Sequence, residues 1–472
     1  MAGYDAVVVG AGPNGLAAAI TLARAGRSVL VVEAEEEVGG GLRTGELTLP
    51  GFAHDICSAV HPLAVASPFF RELPLAVRGV EWVQPPAPLG HALDERNAVM
   101  LERSPAETAA QLGLDGRAYR RLMEPLVERW QELALDALAP LHWPVRPVVL
   151  ARFGARAVRS ASGLLRSAFA GKRARALLGG CAAHSMLPLD RRPTAAFALV
   201  LALMGHAVGW PFPRGGAGRL AAALAAELRA LGGVVRTGWE VRRLEELPPA
   251  RAIFLDLVPA RVAALAADRL PPRYLRRLLR YRYGPAVFKL DWALAGPIPW
   301  RVPALARAGT VHLGGTLEEM EVAEAAPWRG ETAERPFTIV VQHTLFDPSR
   351  APAGRHTAWA YCHVPNGSTA DMTARIEARV EHFAPGFRDL VLARSAWGPA
   401  DFERHDPNLV GGDINGGAMT LGQLFFRPVP RASPYTTPVP GLYLCSAATP
   451  PGGGVHGLCG WHAARAALRN GL

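Results

Sequence analysis

Near the start of the chain, Gly10-Ala-Gly12-Pro13-Asn14-Gly15 sets three glycines at the spacing that a bound pyrophosphate demands. The first glycine permits a tight turn, the second lets the backbone approach the phosphates, and the third lets a helix pack closely on a strand. A helix opening at such a turn offers free N–H groups and a partial positive charge to an anion. Glu33, about 20 residues on, can accept hydrogen bonds from an adenosine ribose and would repel a 2'-phosphate, which argues against NADP. A lone G-x-G-x-x-G is weak evidence, so its context decides. Asp5 to Val9 reads as a buried strand, Leu16 to Ala25 as a helix, and Ser28 to Val32 as a second strand ending on Glu33. These elements would position the glycines and the acid around a dinucleotide.

A second glycine cluster, Val38-Gly39-Gly40-Gly41-Leu42-Arg43-Thr44, follows the acid. Alone it reads as an ordinary turn. Joined to the strand–loop–helix–strand unit, it resembles the second half of the N-terminal fingerprint of FAD-binding proteins. There, paired glycines and a nearby Arg or Thr lie along the extended pyrophosphate. The resemblance implies FAD, with Ala34, Gly40, Gly41, Leu42 and Arg43 joining Glu33 in its site.

The far end of the chain repeats this physics. Gly441 to Thr449 reads as a strand entering a loop, Pro450 to Gly460 as a glycine-rich turn, and Trp461 to Leu468 as a helix. Glycines again permit close backbone approach, and a helix N-terminus again faces an anion. With FAD at the N-terminal unit, that anion is the reduced flavin, whose charge a helix dipole stabilises. Gly453, Gly454, Val455 and Gly457 are the expected contacts.

Taken together, the segments Val7–Gly15, Glu33–Thr44, Pro50–Asp55, Pro213–Gly216 and Gly441–Gly460 resemble the phytoene desaturase-like flavoproteins of the amine oxidase superfamily. Pro50 to Asp55, followed by His61-Pro-Leu and Ser67-Pro-Phe-Phe, is most similar to the subgroup named for a pyridine nucleotide-disulfide oxidoreductase domain. The resemblance implies an FAD-dependent oxidoreductase that moves hydride from a hydrophobic, isoprenoid or carotenoid-like substrate to flavin N5, with oxygen or a quinone as acceptor. It also places Val241 beside the adenine. Two departures stand out. Ser446 replaces a usual glycine, and Gly41 stands where many relatives have Arg, so Arg43 is expected to take the pyrophosphate. Disulfide reduction is excluded, because the chain has neither a second G-x-G-x-x-G set directly on the end of a strand nor a C-x-x-C. Three other readings stay open: a redox-neutral flavin-dependent isomerase, an amine oxidase, and a non-catalytic escort protein with an FAD fold.

Candidate catalytic groups are few. His456 lies within the C-terminal flavin loop, where a structural hydrogen bond is the favoured role. His54 and Asp55 follow the second glycine cluster at a distance that could bring them beneath the ring, or simply form a satisfied turn. His61, His184 and His206 sit in apolar contexts, as core histidines do. No His, Cys or carboxylate cluster has metal-ligand spacing.

The elements fall into an interleaved α/β plan, with a Rossmann-type FAD-binding domain from residues 1–70, 210–270 and 405–472. Residues 71–209 and 271–404 read as an α+β substrate domain with a mixed or antiparallel sheet plus helices. A chain of 472 residues, half apolar and 19% charged, suits such a plan. Expected strands include Glu240 to Leu244, Ala252 to Leu257, Ala286 to Leu290, Thr338 to His343 and Thr357 to His363. Thr194 to Val208 reads as a buried aliphatic helix, which with the Leu135 to Phe169 region could line a substrate tunnel.

The net charge of +10 comes almost wholly from arginine, since Lys172 and Lys289 are the only lysines, and it carries little functional weight. Residues 149–169 lie in an acid-free stretch, with Arg152, Arg156, Arg159 and Arg166 on one helical face. They suggest either a surface helix, which is favoured, or peripheral contact with an anionic membrane. Arg273 to Tyr283 fits an amphipathic helix as well as any basic patch, so no nucleic-acid partner is expected. No apolar run reaches the roughly 18 residues of a membrane span, and no signal peptide is recognised, so a cytoplasmic location is expected.

Overall fold

The computed structural model describes residues 3–472 and contains two main sheets. In the five-stranded sheet, Leu442–Leu444, Ala250–Leu255, Tyr4–Val9, Val29–Val32 and Val234–Arg236 lie side by side. All its pairings are parallel. Its central strands are buried on both faces, which is why they read as unbroken Val, Leu and Ile runs. The helix Pro13–Arg24 covers one face, with the C-terminal helix Leu458–Arg469 against it. This packing is tight because the contact is made of small residues. A Cβ on Gly460 would stand 2.8 Å from the Ala18 backbone nitrogen.

The second sheet has seven strands, in the order Val391–Trp397, Ala286–Leu294, His356–Val364, Thr338–Val341, Ala308–Leu313, Ala87–Ala92, Ala98–Leu101. It is antiparallel except where Ala308–Leu313 runs parallel to Ala87–Ala92. Alternation gives it two unlike faces. Phe288, Leu290, Trp292, Val340, Ala360 and Cys362 join the core beneath the helix Thr373–Phe383. The opposite face carries Lys289, Asp291, Thr310, His312, Trp359 and Tyr361, which pair across the ladders and so point the same way. Helices between Pro105 and Ala207 pack around Thr194–Ala207, whose Leu199, Leu203 and Met204 sit in the largest core.

Two expectations are corrected. Residues 240–244 form no strand; Glu240 and Arg242 pair on the surface, and a short turn, Leu244–Glu246, follows. Residues 149–169 are not one helix but two, Pro147–Ala157 and Ala161–Ala168. Ser160 starts the second by accepting the Gly163 N–H, while Arg159 folds back to the Gly163 carbonyl. Phe153, Leu164, Leu165 and Phe169 face the core, and Arg166 pairs with Glu321. This is the surface-helix arrangement. Among the described residues, no helix is long and apolar enough to cross a membrane.

Candidate functional site

One cavity of about 660 Å³ begins at the carboxyl ends of the parallel strands and ends on the polar face of the seven-stranded sheet. Ligands of doubly wound sheets bind at this edge. The volume suits a nucleotide-sized or drug-sized ligand, for which about 300–1,000 Å³ is usual.

The glycine turn is built as the sequence suggests. Gly10 has φ +102°, and a Cβ there would press on Asp256 at 3.1 Å. Pro13 occupies the first turn of the helix, where its missing N–H costs nothing. The Ala11 N–H donates to Glu33 Oε2 at 2.7 Å and the Glu35 N–H to Oε1 at 3.1 Å. Burial raises the Glu33 pKa, and those two N–H donors oppose the rise. Arg43 lies 3.5 Å from Glu33 and donates to the His405 carbonyl.

The two N-terminal glycine loops meet across a narrow groove: a Cβ on Gly40 would lie 3.4 Å from Gly12 Cα. Among the described residues, Asn14 Oδ1 and Arg43 Nε are buried there without a hydrogen-bond partner. Such orphaned polar atoms beside a glycine-walled groove fit an extended phosphate ligand.

Gly10, Gly12, Pro13, Asn14, Glu33 and Ala34 line the cavity, as do Gly40, Gly41, Arg43 and Val241, and at the far end Gly454 and Val455. The other four expected contacts stand behind the wall. Gly15 gives the helix room against the Gly10 carbonyl, and Leu42 is core. Gly453 abuts Asn415, and Gly457 starts the last helix with φ +68°. Ser446 lines the cavity and donates to the Leu257 carbonyl at 2.8 Å.

The three weak catalytic candidates do not line the cavity. His456 Nδ1 accepts the Leu458 N–H and Nε2 contacts the Gly452 carbonyl, so both ring nitrogens brace the loop. Burial lowers its pKa to about 4. Asp55 is fully buried. Desolvation would raise its pKa, but the Arg350 guanidinium, with His343 and the Ala217 N–H, holds it well below the carboxylate range. Asp55 also accepts from Thr44, and Arg350 reaches on to Asp347. His54 lies 3.5 Å from Asp291, itself paired with Lys289 at 2.6 Å. These groups lock loops together.

Sequence reasoning missed two sets of wall residues. Asp256 follows the Ala250–Leu255 strand and accepts the Gly15 N–H at 2.8 Å. Desolvation raises its pKa to about 8, and Asp406 and Glu33 add to the rise. An acid at the end of a third parallel strand was the available signal. The other set is the chamber beyond the groove, where Thr310, Ile339, Val341, Trp359 and Tyr361 form a floor. His61, His184 and Trp210 complete it together with Leu201 of the helix expected to line a tunnel, whereas no residue from 135 to 169 lines the cavity. The period-2 run Trp359, Tyr361, His363 marked that face in the sequence.

A family model described as an NAD(P)-binding Rossmann-like domain matches residues 8–73. The chain is 29% identical to the rat (Rattus norvegicus) pyridine nucleotide-disulfide oxidoreductase domain-containing protein 2, over 99% of this chain and 94% of that protein. It is 28% identical to a phytoene dehydrogenase of Streptomyces griseus, over 82% of this chain and 77% of the relative. A solved putrescine oxidase with putrescine bound superposes with a TM-score of 0.63 at 20% identity, covering 99% of both chains.

Proposed function

We propose that the chain is a flavin-type oxidoreductase, similar to the phytoene dehydrogenases and sharing the fold of the amine oxidases, that binds FAD and oxidises a hydrophobic substrate. The observation that carries this reading is the continuous cavity joining the glycine groove to the chamber on the second sheet. Glu33 would take the adenosine ribose and Val241 the adenine edge. Gly12, Gly40, Gly41 and Arg43 would flank the pyrophosphate, and Gly454 and Val455 the flavin. When bound, FAD supplies a hydride acceptor for a substrate C–H or N–H. The chain's own residues bind, orient and exclude water. Leu201, Ile339, Val341, Trp210 and Trp359 give the chamber apolar walls suited to an isoprenoid-like body.

The test is anaerobic photoreduction of the FAD-loaded protein, followed by mixing with oxygen or a quinone. Fast reoxidation supports a dehydrogenase or oxidase. A reduced flavin that persists under both acceptors contradicts it and favours a redox-neutral isomerase.

A peripheral membrane contact belongs to the same reading, but at residues 141–148. Trp143 is 86% exposed, and Leu141, Val145 and Val148 are each more than half exposed on one short segment. Arg146, Arg152 and Arg156 lie exposed on or just beyond it. Apolar side chains ringed by arginine match the acyl edge and headgroups of an anionic bilayer.

A further inference from the structure

The helix Lys172–Ala183 runs into a turn that holds the one non-glycine residue with a left-handed backbone among the described residues. That residue is Met186, with φ +54°. Glycine is the usual occupant just past a helix end in this conformation, because a Cβ is crowded there. Both backbone groups of Met186 are tied down. Its N–H donates to the Ala183 carbonyl at 2.9 Å, and its carbonyl accepts the Trp328 Nε1–H at 2.8 Å. The surrounding chain therefore imposes the conformation, and Met186 carries a strain that glycine would not.

Strained backbone collects where the placement of a side chain serves function. Met186 lines the cavity and is 3% exposed. It belongs to a small apolar cluster with Val287, Phe402 and Leu409, against which Cys57, Tyr361 and Ile414 pack. Those last three also line the cavity, and each comes from a different part of it. Tyr361 belongs to the chamber floor. Cys57 lies against the second glycine cluster, with Sγ 3.6 Å from where a Cβ on Gly41 would stand. Ile414 leads into Asn415, whose carbonyl oxygen is 2.7 Å from where a Cβ on Gly453 would stand. Met186 thus sits where the groove opens into the chamber.

From this placement we infer that Met186 is a specificity-determining residue, whose side chain limits the bulk of the apolar segment that a substrate can bring to the flavin. The inference rests on the flavoenzyme reading and narrows its substrate class to molecules that are slender at the reacting end. An unbranched, flexible thioether suits the task, since it fills an irregular gap without fixing one shape. Glycine would satisfy the turn and leave the junction open.

The test uses FAD-loaded protein with toluene and mesitylene as probes. Binding is read from the shift of flavin absorbance, so that only a probe reaching the flavin counts. The wild type is expected to bind toluene about tenfold or more tighter than mesitylene, because added methyl groups find no room. Met186→Gly should bring that ratio near unity while retaining FAD. No preference in the wild type, no shift with toluene, an unchanged ratio in the variant, or loss of FAD from the variant would each overturn the inference. A second variant tests the strain. Met186→Ala empties the same space but keeps a Cβ in the left-handed conformation. It should lose the preference equally, yet unfold at lower urea than Met186→Gly. A midpoint equal to or above that of Met186→Gly would contradict the strain on which the inference stands. Failure of the flavoenzyme reading would show separately, as wild-type protein that takes up no FAD before any probe is added.

Discussion

Gly12 and Asp256 face each other at the entrance of the groove, and both make sharp demands. A Cβ on Gly12 would lie 2.9 Å from Asp256 Oδ2 and would fill the approach to the helix N-terminus. Gly12→Val is therefore expected to abolish FAD binding, measured as flavin retained per chain after gel filtration; stoichiometric flavin would contradict the assignment. Asp256 predicts a pH dependence. Its raised pKa, about 8, means that it is mostly protonated at neutral pH. A pyrophosphate beside it would raise that value further, so binding above pH 8 requires proton uptake. Affinity should fall as pH rises through and above 8, and Asp256→Asn should flatten the profile. The same sign applies to folding. A carboxyl raised in the folded state is without cost below its ordinary value of 3.8 and destabilises progressively as pH climbs toward 8. FAD titrations by flavin fluorescence from pH 6 to 10 (on the order of five points) decide the first claim.

Local elements were legible in the sequence and their assembly was not. The strand–turn–helix around Gly10 to Gly15 is set by neighbours in the chain, so spacing alone located it. The chamber is assembled from strands whose order is far from sequential, with Ala308–Leu313 between Thr338–Val341 and Ala87–Ala92. Alternation reveals that Trp359, Tyr361 and His363 share a face, but not which strands supply His312 and Thr310 beside them. His54 and Asp55 show the converse. Their nearness to the glycine cluster was readable, whereas Arg350 and Asp291, which engage them, come from distant segments. That engagement carries a prediction for stability. Arg350 joins Asp55, Asp347 and the Pro213 carbonyl in a fully buried knot between loops. Arg350→Met would strand two buried carboxylates and should cost about 3–5 kcal/mol, read by urea unfolding. A loss below about 1 kcal/mol, the level of an exposed ion pair, would show the knot to be incidental.

At the scale of the whole molecule, the two sheets divide the work. The parallel sheet would present backbone and the carboxyls of Glu33 and Asp256 to a nucleotide, and the mixed sheet would present side chains to a substrate, with one cavity crossing between them. The exposed Leu141–Val148 segment predicts that the protein sediments with vesicles containing anionic lipid and does so less with zwitterionic ones. Trp143→Ser with Val145→Ser should abolish this without loss of flavin. Equal behaviour of both proteins on both vesicles would dismiss the contact. The central claim remains that both ends of the chain build one flavin site. Its most direct measurement is titration of the flavin-free protein with FAD and, separately, with NAD and NADP. The account predicts one FAD per chain, with a shifted flavin absorbance spectrum and no competition from either nicotinamide dinucleotide. Failure to take up FAD, or its displacement by NAD, would contradict it.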